Sequence, residues 1–164
     1  DNPANPRVHE EQTAEELWRQ TDGRIDVLVA GLGTGRTLVG VSRALKARKP
    51  SFRTVGVEPE QSPYISQGVF RPHRMMGTAP GFRPGVLDEA HLDDIVLVTE
   101  DAAFEGCRRL ARTEGLVVGI SSGAAAVAAE RLAADLPTDG ATVVCVFADS
   151  GQRYLSVDGL YPGA

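Results

Sequence analysis

Apolar and amphipathic stretches alternate along the chain and predict a repeated order of strands and helices. Four short runs are apolar at nearly every position, which is typical of parallel strands covered on both faces. They occupy residues 24–31 (RIDVLVAG), 53–59 (RTVGVEP), 94–100 (DIVLVTE) and 141–149 (ATVVCVFAD). Stretches with helical character occupy residues 12–20, 37–48, 61–69, 100–115 and 116–136.

Residue types that favour helix ends mark several of these boundaries. Ser62 and Thr99 are candidate N-caps, and Pro63 suits the first position of a helix. Ser121 or Ser122 stands where another helix begins, and helix capping is the favoured explanation for both serines. We therefore predict side-chain caps at three helix starts.

Strands that alternate with helices predict a doubly wound α/β fold, because right-handed crossovers make successive strands parallel and place helices on both faces. We expect a three-layer α/β/α arrangement around a mostly parallel sheet, with residues 1–164 forming a single domain. Residues 70–92 are rich in Gly, Pro, His and Arg and have no sustained period, which predicts a long functional loop.

Composition and charge narrow the possible functions. The 164 residues have a formal net charge of −5 and no basic run, which argues against nucleic acid as a partner. No apolar run approaches the roughly 20 residues of a membrane span, and the polar first residues lack the layout of a signal peptide.

Cys107 and Cys145 are expected to be buried free thiols, so we predict a cytoplasmic protein. His9, His73 and His91 lie far apart, and we predict no metal site.

The sequence GLGTGRT at residues 31–37 joins the first predicted strand to a helix. Backbone amides at a helix N-terminus bind phosphate, and glycine lets the anion approach the backbone closely. A nucleotide-binding P-loop is excluded, because its Gly-Lys-Ser/Thr ending is absent. A dinucleotide site is one alternative: Gly31 and Gly33 fit its fingerprint and Glu58 would bind a ribose, although Arg36 replaces the third glycine. A tight turn without a ligand is the other alternative.

Four motifs in a fixed order give this loop a more specific interpretation. They are GTGRT (33–37), GTAPGF (77–82), GISSGAAA (119–126) and DSGQRYLS (149–156), and NPANPRVHEEQTAEELW (2–18) precedes them. They resemble the motifs of the cysteine synthase (O-acetylserine sulfhydrylase) and cystathionine β-synthase family, and the similarity covers nearly the whole chain. These are type II enzymes that use pyridoxal 5′-phosphate (PLP). The resemblance therefore implies PLP as the cofactor and the C-terminal large domain of such an enzyme.

The resemblance also implies roles for single residues of this chain. Gly33, Thr34, Gly35 and Thr37 would hold the PLP phosphate. Ser150 would bond the pyridine nitrogen, where a neutral hydroxyl suits elimination at the β-carbon better than transamination.

Other matched positions are near the substrate or depart from the family pattern. Gly77 and Thr78 would lie in a mobile loop beside the substrate, and residues 78–80 differ from the family sequence. Arg36, next to the phosphate, replaces a glycine of the family; it would either add a favourable charge there or point to solvent. Asp149 precedes Ser150 and is an alternative partner for the pyridine nitrogen, but the motif assigns that role to the serine, and a satisfied acid at the end of a strand is the favoured explanation for Asp149.

The enzymes of this family bind PLP covalently through a lysine, and this chain has only Lys46 and Lys49. Both lie far along the helix that follows the glycine loop, more than ~10 Å from its start at about 1.5 Å of rise per residue. Neither fits that role, so we predict no catalytic residue in this chain. We expect that the lysine-bearing N-terminal half is absent and that the chain alone is inactive.

The function implied by the resemblance is formation of L-cysteine from O-acetylserine and sulfide by β-replacement. Cystathionine formation and serine or threonine dehydration are alternatives on the same scaffold. A non-catalytic module that binds a ligand or a partner is an alternative of another class. The expected partners are an amino-acid substrate, the missing half of the enzyme, a second copy in a homodimer, and serine acetyltransferase.

Overall fold

The computed structural model describes residues 4–136 and 140–161. The α-helices span Ala4–Val8 (α1), Ala14–Gln20 (α2), Arg36–Arg48 (α3), Tyr64–Gln67 (α4), Glu100–Thr113 (α5) and Ile120–Asp135 (α6). The strands span Ile25–Gly31 (β1), Arg53–Pro59 (β2), Asp94–Val98 (β3) and Thr142–Cys145 (β4). A π-helical segment joins α1 to α2 at His9–Thr13, and 3₁₀ helices lie at Glu89–His91 and Gly151–Tyr154.

The four strands form one parallel sheet in the order β3-β2-β1-β4. In register, Val29 of β1 lies between Val55 of β2 and Cys145 of β4. The chain moves from β1 outward to β2 and β3 and then returns to the other side of β1, so the winding reverses between β1 and β4. Parallel strands have their carboxyl ends at one edge, and ligands of such sheets bind at that edge where the winding reverses.

Helices cover both faces of the sheet. Val27 and Val29 pack in an apolar cluster with residues of α5 and α6, whereas Leu28 and Ala30 pack in a second cluster with residues of α3. Successive side chains of a strand point to opposite faces, so β1 is buried on both sides. The predicted doubly wound, three-layer α/β fold is confirmed.

Helical structure begins earlier than the sequence predicted. The amphipathic pattern indicated a helix at residues 12–20, whereas helical residues run from Ala4 to Gln20. Pro6 lies in the first turn, where its missing N–H loses no hydrogen bond, and its carbonyl oxygen packs against Gly40 of α3. Contact with α3, rather than local periodicity, therefore fixes this segment.

The predicted caps of α4 and α5 have different outcomes. Thr99 is the N-cap of α5, and its hydroxyl accepts a hydrogen bond from an amide of the first turn, as predicted. Ser62 does not cap α4; Pro63 is the N-cap, and the Ser62 hydroxyl accepts from the Arg71 amide instead. The Ser62 prediction was wrong because the carboxylate of Glu58 accepts from the first amides of α4.

The connection from α4 to β3 contains a single 3₁₀ turn among its described residues, in line with the long loop predicted at 70–92. None of the helices in the described part of the chain combines the length and the apolar composition needed to cross a bilayer.

The two cysteines are free thiols, as predicted. Cys107 is buried between α5 and α6, whereas Cys145 in β4 is half-buried. Burial raises the pKa of the Cys107 thiol to about 11, so this group stays protonated near neutral pH.

Candidate functional site

The glycine loop forms a turn between β1 and α3 at the carboxyl edge of the sheet. Gly35 is the N-cap of α3 and has a φ of 71°, a left-handed conformation that favours glycine. The first hydrogen bond of the helix runs from the Val39 amide to the Gly35 carbonyl (3.0 Å). The amides of Thr37 and Leu38 precede this bond and have no acceptor within the helix. These N–H groups and the helix dipole favour an anion at the turn.

A cavity of about 180 Å³ opens beside this turn. Residues 33–37 line one side of it, and Gly77, Ser121 and Ala148 line it from three other segments of the chain. Three of the four sequence motifs therefore contribute residues to the cavity. The fourth motif, residues 149–156, begins directly after Ala148.

Arg36 lines the cavity and is half-buried. It is the first residue of α3, and the left-handed conformation belongs to Gly35 before it. The loop therefore does not need glycine at position 36. Of the two alternatives for Arg36, a charge beside the cavity fits this position better than a side chain that points to solvent.

The loop of residues 75–81 packs against the glycine turn. Gly77 has a φ of 89°, and its carbonyl oxygen occupies the space that a Cβ atom on Gly33 would need. Thr78 is buried, and its hydroxyl donates to the Met75 carbonyl oxygen (2.7 Å). Gly77 therefore lines the cavity, whereas the Thr78 hydroxyl is already paired within the loop.

Ala79 adopts a backbone conformation that glycine normally supplies. It stands where the family pattern has a glycine, and its φ is 41°. Its amide donates to the Leu32 carbonyl (2.8 Å), and its methyl group is buried. Strained backbone of this kind is concentrated at ligand-binding loops, and here it lies two residues from Gly77.

Ser121 and Ser122 do not cap α6, so this prediction was wrong. The helix begins at Ile120 with Gly119 as its N-cap, and no side chain bonds the cap position. Ser121 instead lines the cavity. Ser122 Oγ is buried without a hydrogen-bond partner among residues 4–136 and 140–161. The first turn of α6 therefore borders the same cavity as the first turn of α3.

Ser150 follows β4 at the same edge of the sheet. Its backbone forms a single antiparallel bridge with Val118, and the Gly151 amide donates to the Val117 carbonyl (2.9 Å). Ser150 is exposed, and Ala148, two residues earlier, lines the cavity. Ser150 itself does not line the cavity, and its backbone is held by the segment before α6.

Asp149 is held by Tyr154, whose hydroxyl donates to Oδ2 of the carboxylate (2.5 Å). This hydrogen bond raises the pKa of Tyr154 to about 12. The Asp149 carbonyl oxygen also accepts from the Gly119 amide (3.1 Å). The expectation of a satisfied acid at the strand end holds only for Oδ2, because Oδ1 is buried without a hydrogen-bond partner among residues 4–136 and 140–161. The contacts of Asp149 brace the segment that leads to Ser150.

Glu58 is fully buried and is occupied by contacts within the fold. Its carboxylate accepts hydrogen bonds from the amides of Ile65 and Ser66 (2.6 and 3.1 Å) and from the Ser66 hydroxyl (2.8 Å). All three contacts hold α4 against the end of β2. The dinucleotide alternative needs this carboxylate for a ribose, so the structure contradicts it.

Both lysines lie at the opposite, amino-terminal edge of the sheet. Lys49 Nζ donates to Asp26 Oδ1 (2.6 Å) and to the Ile25 carbonyl (3.0 Å) at the start of β1. Lys46 Nζ donates to Asp93 (2.7 Å), directly before β3. Helix α3 carries both side chains away from the glycine turn, so neither ammonium group reaches the cavity.

His9 is a candidate that sequence reasoning missed, since from the sequence it was considered only as a metal ligand. Its Nε2 lies 3.3 Å from Oγ1 of Thr37, which lines the cavity. A signal was available, because His9 belongs to the opening motif at residues 2–18.

In the described part of the chain, no group of three His, Cys, Asp or Glu side chains is arranged to hold a metal ion.

Known proteins are similar to this chain in sequence and in fold. A family model described as "Pyridoxal-phosphate dependent enzyme" matches residues 1–149. A cysteine synthase of Staphylococcus aureus is 48% identical over 157 residues, which cover 95% of this chain and 50% of the relative.

Two solved structures superpose on nearly all of the chain. O-ureido-L-serine synthase has a TM-score of 0.93 at 41% identity, covering 100% of this chain and 53% of its own. The O-acetylserine-dependent cystathionine β-synthase from Helicobacter pylori has a TM-score of 0.90 at 38% identity, with 98% and 52% covered. The chain spans about half the length of the relatives that it matches. By sequence and by fold it belongs to the family of pyridoxal-phosphate-dependent enzymes and is cysteine synthase-like.

Proposed function

We propose that this chain is the phosphate- and ring-binding part of a longer PLP-dependent enzyme that forms L-cysteine from O-acetylserine and sulfide. The observation that carries the proposal is the cavity at the start of α3, where motifs that are far apart in sequence meet. The 48% identity to a cysteine synthase favours this reaction over others of the family.

The residues around the cavity fit the phosphate group of PLP. Gly33, Thr34, Gly35 and Thr37 surround the helix N-terminus, where main-chain amides and hydroxyls donate hydrogen bonds. Arg36 adds a positive charge beside them. A phosphate oxygen accepts hydrogen bonds only, so this set of donors matches its chemistry.

The remaining site residues would serve the ring and the substrate. Ser150 would offer a neutral hydroxyl to the pyridine nitrogen, and the contacts of Asp149 and Gly151 on either side of it hold its backbone in place. Gly77 would lie beside the substrate, and Thr78 would support that loop through its bond to Met75. When bound, PLP supplies an electron sink that makes the α-proton of an amino acid acidic.

The lysine that these enzymes require would come from the rest of the longer protein. Lys46 and Lys49 are engaged in ion pairs at the far edge of the sheet, which supports this view. We therefore propose that the chain alone binds the phosphorylated cofactor without turning over substrate. A homodimer, a cytoplasmic location and serine acetyltransferase as a partner are parts of the same proposal, since they follow the family resemblance.

Cystathionine formation is the second candidate reaction. It is favoured by the similarity to the Helicobacter pylori enzyme and by residues 78–80, which depart from the cysteine synthase pattern in the loop beside the cavity. Both reactions replace a group on the β-carbon and differ in the thiol that enters. When the purified longer protein is given O-acetylserine with either sulfide or homocysteine, cysteine should form from sulfide faster than cystathionine forms from homocysteine. Faster formation of cystathionine would overturn the assignment to cysteine synthesis.

Cofactor binding is tested on the chain itself. Pyridoxine 5′-phosphate is the suitable probe, because it lacks the aldehyde that reacts with surface lysines. An NMR titration should shift the amides of residues 33–37, and pyridoxine without the phosphate should bind at least tenfold more weakly. Equal affinity for the two compounds, or shifts confined to other regions, would contradict the proposed phosphate site.

A further inference from the structure

We propose that His9 is a positioning residue for the phosphate site: its Nε2–H donates to Thr37 Oγ1 and leaves the Thr37 hydroxyl proton for the phosphate. The inference deepens the proposed function and rests on it. His9 lies in the π-helical segment between α1 and α2, 28 residues before Thr37.

The imidazole of His9 lies between two hydroxyl groups. Its Nε2 is 3.3 Å from Thr37 Oγ1, and its Nδ1 is 3.0 Å from Thr13 Oγ1. The residue is half-buried, and burial lowers the pKa of its imidazole. His9 is therefore mostly neutral near pH 7, with one nitrogen that donates and one that accepts.

The balance of protons decides which nitrogen donates. A hydroxyl has one proton, so Thr37 cannot give it both to His9 and to a phosphate. A phosphate dianion has acceptors only, and Thr37 must therefore donate to it and accept from His9. The neutral ring then has its proton on Nε2, and Nδ1 accepts from the Thr13 hydroxyl. This arrangement satisfies all three groups without a change of charge.

The backbone around His9 is shaped to hold the ring in this place. The Ala14 amide donates to the His9 carbonyl, a bond five residues back that widens the helix by one residue. Such π-turns occur frequently at functional sites. Gly40 of α3 has no side chain, and a Cβ there would collide with the Pro6 carbonyl and with Cβ of His9. The close approach of the two segments therefore depends on Gly40.

The same helix provides a matched control. Ser42 Oγ of α3 lies 3.3 Å from Nδ1 of His91, so a second histidine bonds a hydroxyl of α3 at the same distance. Ser42 is one and a half turns beyond Thr37, does not line the cavity and is fully buried. If such histidine–hydroxyl bonds only stabilised the fold, substitution of His9 and substitution of His91 would change ligand affinity equally.

The first test compares His9→Phe with His91→Phe by titrating each purified chain with pyridoxine 5′-phosphate and with pyridoxine. His9→Phe should weaken binding of the phosphorylated compound about fivefold, the effect of about one hydrogen bond, and leave pyridoxine binding within twofold. His91→Phe should change neither affinity, and His9→Gln, which keeps an N–H donor, should restore part of the loss. Equal losses in the two phenylalanine variants would overturn the inference.

A double-mutant cycle tests whether His9 acts through Thr37. Thr37→Val alone should weaken phosphate binding, and adding His9→Phe to it should cost no further affinity. Additive losses would show that His9 acts in another way and would overturn the inference. If the unmodified chain binds pyridoxine 5′-phosphate and pyridoxine with equal affinity, both the proposed function and the role of His9 fail. If the unmodified chain prefers pyridoxine 5′-phosphate and His9→Phe binds it with normal affinity, only the role of His9 is wrong.

The tautomer of His9 gives a readout independent of affinity. In the ¹⁵N NMR spectrum, Nε2 should carry the proton in the presence of pyridoxine 5′-phosphate, and Nδ1 should be an acceptor. A proton on Nδ1 in the bound state would contradict the inference.

Discussion

The carbonyl oxygen of Gly77 lies in the space that a Cβ atom on Gly33 would occupy, well inside the 3.0 Å that such atoms keep from their neighbours. The two glycines belong to different motifs and lie 44 residues apart in the sequence. Their contact closes one side of the cavity, because both residues line it. The absence of a side chain at Gly33 therefore has a packing reason that the motif alone does not reveal.

This contact predicts the effect of Gly33→Ala. The methyl group would push the Gly77 loop outward, and we expect a loss of about 1–3 kcal/mol in the free energy of unfolding. Binding of pyridoxine 5′-phosphate should fall at least tenfold. Gly115→Ala is the control, since its φ of 69° makes alanine unfavourable but nothing lies within 4 Å of the new atom. A stability loss without a binding loss in Gly33→Ala would contradict this prediction.

The strained backbone of Ala79 predicts an unusual gain in stability. Alanine at a φ of 41° costs about 1–2 kcal/mol, whereas the extra freedom of glycine in the unfolded chain costs less than about 1 kcal/mol. Ala79→Gly should therefore raise the free energy of unfolding by about 0.5–1 kcal/mol, as measured by urea denaturation. Ala111→Gly in the last turn of α5 should instead lower it, by up to about 1 kcal/mol. A destabilised Ala79→Gly would show that the strain is absent in solution.

Because the carboxylate of Glu58 is buried and hydrogen-bonded within the fold, we expect its substitution to lower stability, and we expect the chain not to bind dinucleotides. Glu58→Gln loses one of two acceptor oxygens that hold Ile65 and Ser66, and we expect about 1–3 kcal/mol of destabilisation. Glu60→Gln, at an exposed position of the same segment, should change stability by less than about 0.5 kcal/mol. Detectable binding of NAD to the unmodified chain would restore the alternative that the structure argues against.

The ion pair at the start of β1 predicts acid sensitivity. The hydrogen bond from Lys49 lowers the pKa of Asp26 below its usual value of 3.8. A carboxyl whose pKa is lower in the folded state stabilises the fold above its unfolded pKa and loses that contribution as pH falls through the folded value. Unfolding free energy should thus decrease below about pH 4, and less steeply in Asp26→Asn. Asp22→Asn, at an exposed position, should keep the steep decrease of the unmodified chain.

Parts of the fold that depend on local patterns could be predicted from the sequence. Strand β2 has the predicted bounds, since Val55 and Val57 are buried on one face and neighbours such as Thr54 on the other. Thr99 caps α5 through an amide in the adjacent turn, an interaction between close neighbours in sequence. Three of the four motifs contribute residues to the cavity, whereas Val146 and Ala148, which also line it, lie outside the motifs.

Contacts between distant segments could not be predicted. Ser62 and Ser121 are of residue types that often cap helices, yet neither caps its helix. The Glu58 carboxylate accepts from the first amides of α4, and Gly119 is the N-cap of α6. Residue propensity does not show which distant group will bond the amides at a helix start. His9 belongs to the opening motif, but only the fold shows that its Nε2 lies 3.3 Å from Thr37 Oγ1.

The sequence by itself determined the α/β layers, the glycine turn before α3 and the family, because periodicity, glycine placement and motif order are local features of the chain. The tertiary structure decided which groups meet: the Gly33–Gly77 closure, the Val118 bridge that holds Ser150, and the His9–Thr37 bond. These contacts join residues 28 to 44 positions apart, and only the packing of helices on a shared sheet brings such residues within a few ångströms.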